Sequence, residues 1–380
     1  MSCVALSTAC QKRESPAALP STIVANMHAN LDLGHPGRGL TDYGSSDPAD
    51  VPTAYAMVLM GEIERGRLLN LADVPAPGPV AGTWLLDHAD ENRDGVPGWG
   101  LPVAWDAYGD GSINPTNTEY AISTGIAIQA LIDWIGASET APRARILGLV
   151  GQALRPYLDR STWSPSGMLP YSLRESDRRY DTFNSAAFLA GQMQRFSNIT
   201  DDALLASRLR KTADATMQAL LANKQVSPDG SAWYWNYSIQ EPVPNDLAHA
   251  GFIIDGVTAY MASGGQLSGL FERPKVVANL LQFNDSSAVG VRAWPRFKAD
   301  ASSPARLVDL GVALRLTCSE SALAALRDVL LGQVRGHLGR DHHYAKYPMS
   351  TESPNVVVAE YEAYLFRGLA HCAARPLPKS

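Results

Sequence analysis

The chain lacks most of the features that would place a protein at a glance. It has only four cysteines, Cys3, Cys10, Cys318 and Cys372, in 380 residues. With no CxxC pair and no ligand spacing, they exclude a zinc ribbon or finger and read as scattered thiols. Positive charge is not in excess: the net charge is −6, which argues against a protein that tracks a nucleic-acid backbone. No run of apolar residues is long enough for a membrane span. What remains is 46% hydrophobic residues against 18% charged ones, the balance of a globular protein with a large core.

The N-terminal stretch "MSCVALSTACQKRESPAALP" reads as a tail, giving a flexible segment over 1–22 and one catalytic domain over 23–380. Its "LSTAC", ending at Cys10, faintly resembles the end of a lipoprotein-type export signal. The apolar stretch before it is short for that role. The expected location is periplasmic or secreted.

Organisation shows in repetition. Segments rich in small and apolar residues begin near 50, 118, 183, 246, 306 and 356, among them "DVPTAYAMVLMGEI", "FNSAAFLAGQMQRF" and "DLAHAGFIIDGVTAYM". The step is about 65 residues, shortening toward the C-terminus. Apolar on nearly all faces, they should be buried on all sides. Between them lie sided helices. "DALLASRLRKTADATMQALLANK" places Leu205, Leu209 and Met217 on one stripe and Arg208, Lys211 and Asp214 away from it. Inner helices alternating with outer ones predict an all-α, (α/α)6-type toroid, complete or incomplete, with short β-hairpin loops at its active-site rim.

In such a toroid all inner helices start at one rim, so the loops before them gather at one mouth. Those loops are aromatic and punctuated by Gly and Pro: "GWGLPVAWDAYGDGSINPTN", "GMLPYSLRESDRRYDTFN", "WYWNYSIQEPVPND", "VRAWPRFKADASSPA" and "HHYAKYPMSTESPN". Trp99, Trp105, Trp233, Trp235 and Trp294 offer flat faces for sugar rings, although tryptophans also wedge loops together. At the helix starts stand Asn184, Asn245 and His249. Capping accounts for the asparagines equally well, least comfortably for Asn184, because Asp181 and Thr182 compete just upstream. Tyr171, Arg174, Tyr237, Arg292, Arg296 and Tyr344 lie in the loops.

Amides, a histidine, arginines and tyrosines around one cleft suit removal of a proton beside a carboxylate. In a polyuronate the C5 proton becomes acidic once the carboxylate is neutralised. A base then takes it and an acid protonates the departing O4. Tyrosine can serve both steps where nearby arginine lowers its pKa. Hydrolysis is the rival, with Asp106, Asp110, Glu119, Asp181, Glu241 and Asp246 as available carboxylates. A toroid that binds glycan without catalysis is the third reading.

The segments "NPTNTEYAISTGIAIQAL" and "NDLAHAGF", with the repeat, resemble the toroidal polyuronate lyases, nearest to the glucuronan and alginate lyases of polysaccharide lyase family 38. The likeness extends to glucuronyl epimerases, which share the first chemical step. The resemblance implies an acidic polysaccharide as substrate, no required cofactor, and Asn184, His249 and either Arg292 or Arg296 as carboxylate neutralisers. It also implies a tyrosine soon after that arginine, which "RAWPRFKADASSP" does not contain. Tyr237, Tyr344 and Tyr171 are the substitutes, in that order. Trp99, Trp105, Tyr171, Arg174, Trp233, Trp235, Asn245 and Trp294 are the expected substrate contacts.

One stretch stands apart. "DENRDGVPGWG" sets Asp90, Asn92 and Asp94 at alternate positions before Gly95, like the first half of a calcium loop. The glutamate such a loop needs at its twelfth position is Leu101 here. A tight Asp-Gly turn explains the stretch equally well.

Overall fold

The computed structural model describes residues 19–42, 47–285, 290–299, 302–337 and 358–375. Among these residues, twelve α-helices alternate between two rings. The inner ring is α2 (Pro52–Leu68), α4 (Ala121–Ala137), α6 (Phe183–Phe196), α8 (Leu247–Ala262), α10 (Leu307–Thr317) and α12 (Ala359–Ala374). The outer ring is α1 (Leu19–Ala29), α3 (Gly78–Asp87), α5 (Arg143–Leu154), α7 (Ala203–Ala222), α9 (Arg273–Ala278) and α11 (Ala324–Gly336). Each inner helix packs on the next, and α12 closes on α2. The toroid is therefore complete. Helix α1 starts at Leu19, so 19–22 are helical rather than part of the flexible segment expected there.

The physical division between rings follows side-chain chemistry. Inner helices bury nearly every position; α6 buries all but one of its residues. The outer α7 buries Leu205, Leu209 and Met217 and leaves Arg208 and Lys211 exposed, so its apolar stripe faces inward. Small residues let the inner helices approach closely. A Cβ on Gly191 of α6 would stand 2.4 Å from the Gly256 carbonyl oxygen of α8, and one on Gly311 of α10 equally close to the Tyr364 backbone of α12.

The hairpins expected at the rim are slight. Gln225–Val226 pairs antiparallel with Trp233–Tyr234, and Asn284–Asp285 with Gly290–Val291. Elsewhere single bridges join neighbouring loops, such as Thr182 with Ser238 and Tyr120 with Ser172. These bridges tie each loop to the next around the mouth.

Cys318, just past α10, and Cys372 in α12 form a disulfide across 54 residues. This corrects the expectation of scattered thiols. Helical spacing on two elements hides such a pair from any local motif.

Candidate functional site

The starts of all six inner helices converge on one cavity of about 120 Å3. Thr53 comes from α2, Ser123 from α4, Asn184 from α6, His249 from α8, Arg306 from the residue preceding α10, and Glu360, Tyr361 and Tyr364 from α12. Tyr171 and Asp42 reach it from loops. A second, more open cavity of about 270 Å3 adjoins it, lined by Tyr237, Glu241, Asn245, Asp246, His249 and Trp294. His249 borders both. Asn184 and His249, 65 residues apart in sequence, thus share one basin.

His249 is held from behind. Asp246 caps α8, its Oδ1 accepting the His249 backbone N–H at 2.9 Å. The same oxygen lies 2.7 Å from His249 Nδ1, an arrangement that favours the proton on Nδ1 and leaves Nε2 as an acceptor. Asp246 Oδ2 accepts from Arg306 Nη2 at 2.8 Å. Arg306 also donates to both oxygens of Asp309, which in turn accepts the Arg306 and Ala248 backbone N–H groups. Burial alone would raise the Asp246 carboxyl, but the charges of His249 and Arg306 hold it well below the ordinary range. An ionised aspartate behind a histidine is the standard way to orient a proton-transfer ring. Among the described residues, Nε2 has no protein partner.

Tyr237 meets the His249 ring edge to face at 5.3 Å between centroids. Burial, with the charges of Glu241 and Asp246, raises its hydroxyl above the ordinary range. That corrects the expectation of an arginine-activated base: Tyr237 keeps its proton and stands beside His249 as a hydroxyl donor. Asn184 sits in the first turn of α6, where Thr182 is the boundary residue. Its Oδ1 accepts the Ser185 N–H at 2.7 Å, so it is not the helix cap. Glu360 accepts from Thr53 Oγ1 at 2.9 Å, and burial raises its carboxyl.

Several expected contacts lie elsewhere. Trp99 and Trp235 are each 1% exposed and Trp233 is 4% exposed. The Trp99 and Trp235 indole N–H groups donate to the Leu85 and Leu220 carbonyl oxygens at 3.1 and 2.8 Å. All three are packing residues that fasten loops to outer helices, with no ring face left for a sugar. Arg292 pairs with Asp285, and Arg296 with Asp229; neither lines either of these two cavities. Arg306 is the arginine at the site. Arg174 is exposed and outside both linings. Trp105 is half-buried, its backbone bridged to Asn114, and also lines neither cavity. Tyr344 lies outside the described residues.

Tyr171, Asn245 and Trp294 do line the basin. Asn245 is buried, its Nδ2 donating to the Trp235 and Asn236 carbonyls at 3.1 and 2.9 Å. Among the described residues, its Oδ1 finds no protein donor. Lys298 lies 3.9 Å from the Trp294 ring centroid. Arg306, Glu360, Tyr361 and Tyr364 were not singled out in the sequence. The run "AEYEAY" at a predicted inner-helix start carried a signal, but acidic residues in a first turn read equally as complements to the helix dipole.

The calcium-like loop gains its missing acid from outside. One oxygen from each of Asp90, Asp94 and Glu119 lies within 4.8 Å of the others. Asn92 Nδ2 donates to Glu119 at 2.5 Å. Burial, with the Asp94 and Asp90 charges, pushes Glu119 up to about 7. A carboxyl raised on folding binds its proton more tightly in the folded state. Stability therefore falls as pH rises from the unfolded value near 4.5 toward 7, and is level above that. Glu119→Gln should remove the decline, adding about 3 kcal/mol at pH 8 as an upper bound. Thermal melts from pH 4 to 8 in chelator test this; a wild-type Tm that does not fall across that range would refute it. Repeating the melts with calcium tests whether the three acids hold a cation, which would reverse the decline.

No protein-family model and no curated protein matches the chain. Among solved structures it is similar to a variant of the GH76A alpha-1,6-mannanase of Salegentibacter, at 10% identity, TM-score 0.60, covering 94% of this chain and 99% of that one. It is similar to the polysaccharide lyase BACCELL_00875 at 11% identity and TM-score 0.60, covering 96% and 100%. It is also similar to a D-mannose isomerase at 13% identity and TM-score 0.61, covering 95% and 98%. At these identities the likeness establishes the fold: the chain is an (α/α)6 toroid.

Proposed function

We propose that the chain is a glycan-processing enzyme, and that it cleaves a uronic-acid-containing polysaccharide by β-elimination. The observation that carries this is His249, backed by Asp246 and open at Nε2, on the wall of a cavity it shares with Asn184. His249 Nε2 takes the C5 proton. The electrons move into the carboxylate, whose growing charge the Asn184 amide stabilises by hydrogen bonding. They return to form the C4–C5 double bond as the C4–O4 bond breaks, and Tyr237 protonates the leaving oxygen. Asp246 acts through His249 as a positioning residue. The structural likenesses include a lyase, a mannanase and an isomerase, which supports a glycan substrate and leaves the reaction to the site.

The test is absorbance near 235 nm during incubation with glucuronan, polymannuronate and polyguluronate. A rise records the unsaturated product. New reducing ends without it would overturn elimination in favour of hydrolysis, and deuterium entering C5 without cleavage would indicate epimerisation.

Hydrolysis has one observation in its favour: Glu360, a carboxyl raised by burial, lies in the cavity. Against a mannanase-like reaction stands a sequence fact. The mannanase structure is of an inactive variant with two consecutive aspartates replaced. The only consecutive aspartates here are Asp201 and Asp202, and Asp202 caps the outer helix α7, outside either cavity lining. Glu360→Gln should therefore leave elimination largely intact.

Trp294, half-buried on the open cavity, is the aromatic best placed to meet a sugar. Trp294→Ala should raise KM roughly fivefold, about 1 kcal/mol, with kcat and Tm nearly unchanged. Steady-state kinetics decide it, and an unchanged KM would remove Trp294 from the substrate path. The disulfide supports an oxidising location, and so we propose export to the periplasm or beyond. Among the described residues no helix is long and apolar enough to cross a membrane.

A further inference from the structure

Below the basin, on the toroid axis, Phe252 and Tyr364 separate the main cavity from a void of about 10 Å3. That is room for about one water-sized particle. Asp255 of α8, Arg315 of α10 and Arg367 of α12 line it.

The charges there do not balance. Arg315 pairs with Asp255, whose Oδ2 also accepts from Gln129 Nε2 at 3.2 Å. Arg195 pairs with Asp133 at 2.6 Å. Arg367, 8% exposed, donates instead to Gln129 Oε1 at 2.9 Å and approaches Met57 Sδ at 3.4 Å. Both are neutral. Among the described residues no carboxylate forms an ion pair with Arg367. Glu64, the next acid on α2, is committed to His371 and Arg67 at 3.0 and 2.9 Å. Three guanidiniums, of which Arg367 alone is buried, thus face two carboxylates, leaving one positive charge in excess near the centre of the ring. Burial and the neighbouring Arg315 charge pull Arg367 down to about 10, still protonated at neutral pH.

An unmatched charge in so dry a place is costly. A water molecule would satisfy hydrogen bonds but not the charge, and a cation would worsen it. We propose that the void binds one small monovalent anion of chloride size, held by Arg367 and Arg315. Asp255 shares the wall; its ion pair is with Arg315, its Oδ2 also accepts from Gln129, and its single charge is shared between Arg315 and Arg367. The anion would join α10 and α12 through their side chains and brace the Phe252–Tyr364 floor of the main cavity. The proposal is independent of the reaction assigned to the basin.

The experiment is a thermal melt of the full chain in sodium chloride and in sodium gluconate at matched ionic strength. Gluconate is too large for the void. Chloride should raise Tm by about 2–5 °C with a saturating concentration dependence, whereas unspecific salt effects rise without saturation. Arg367→Met keeps the length and apolar packing of the side chain and should abolish the chloride effect. Bromide soaked into crystals should give an anomalous peak between Arg315 and Arg367. Coincident wild-type melts in the two salts would overturn the proposal, as would a chloride effect that survives in the variant or a bromide peak found only elsewhere. Should Arg367→Met fail to fold, the wild-type salt comparison and the bromide peak decide it.

Discussion

His249→Ala is expected to lower kcat/KM by about 10^3-fold, about 4 kcal/mol of transition-state stabilisation, without a comparable fall in stability. The ring is partly exposed, with 34% of its side chain open to solvent, so its removal leaves little buried void. The expected loss comes from chemistry: among the described residues, no other group in the basin combines a free acceptor nitrogen with an orienting carboxylate. Asp246→Asn should also cost activity, because the amide can offer its N–H to Nδ1 and place the proton on the wrong nitrogen. It should flatten or displace the low-pH limb of the kcat/KM profile, a change that mere loosening of α8 would not produce. Full turnover by His249→Ala would remove the residue from the mechanism. Loss of turnover in Glu360→Gln with His249→Ala active would move the chemistry to α12 and to hydrolysis.

The second large effect is on stability. Replacing Cys318 and Cys372 by serine releases a link spanning 54 residues. Chain-entropy arithmetic for such a loop gives about 4 kcal/mol, a large share of a typical domain's margin. The link sits where α10 and α12 pack together, near the seam at which the ring closes on α2. Denaturant unfolding of the double variant should show a lower midpoint, and wild type in strong reductant should approach it. Equal midpoints for oxidised wild type and the double variant would show that the disulfide contributes nothing. Because the cysteines lie past the C-terminal end of α10 and late in α12, far along the helices from the basin, the variant should keep its kcat while folded.

The two variants probe opposite ends of the inner ring, which is how the toroid divides labour. Front ends of the inner helices carry polar first-turn residues and the basin. Rear portions carry packing and the disulfide. A change at one end should leave the other measurement nearly untouched, since distant sites without shared partners add independently.

Local pattern determined the architecture. All-round apolar segments alternating with sided ones identified the two rings, because burial on every face and burial on one stripe leave different periodicities in the chain. It also brought out Asn184, His249 and Tyr237, as polar and aromatic groups gathered at inner-helix starts and the loops before them. The partners of those residues were decided only by tertiary structure. Arg306 rather than Arg292 or Arg296 reaches Asp246, Glu119 reaches a loop 27 residues upstream, and Cys318 meets Cys372. Trp99 and Trp235 turn inward although their loops line the mouth. In each case the outcome depends on which way a side chain points once the ring closes, and that direction is set by packing between helices far apart in the chain.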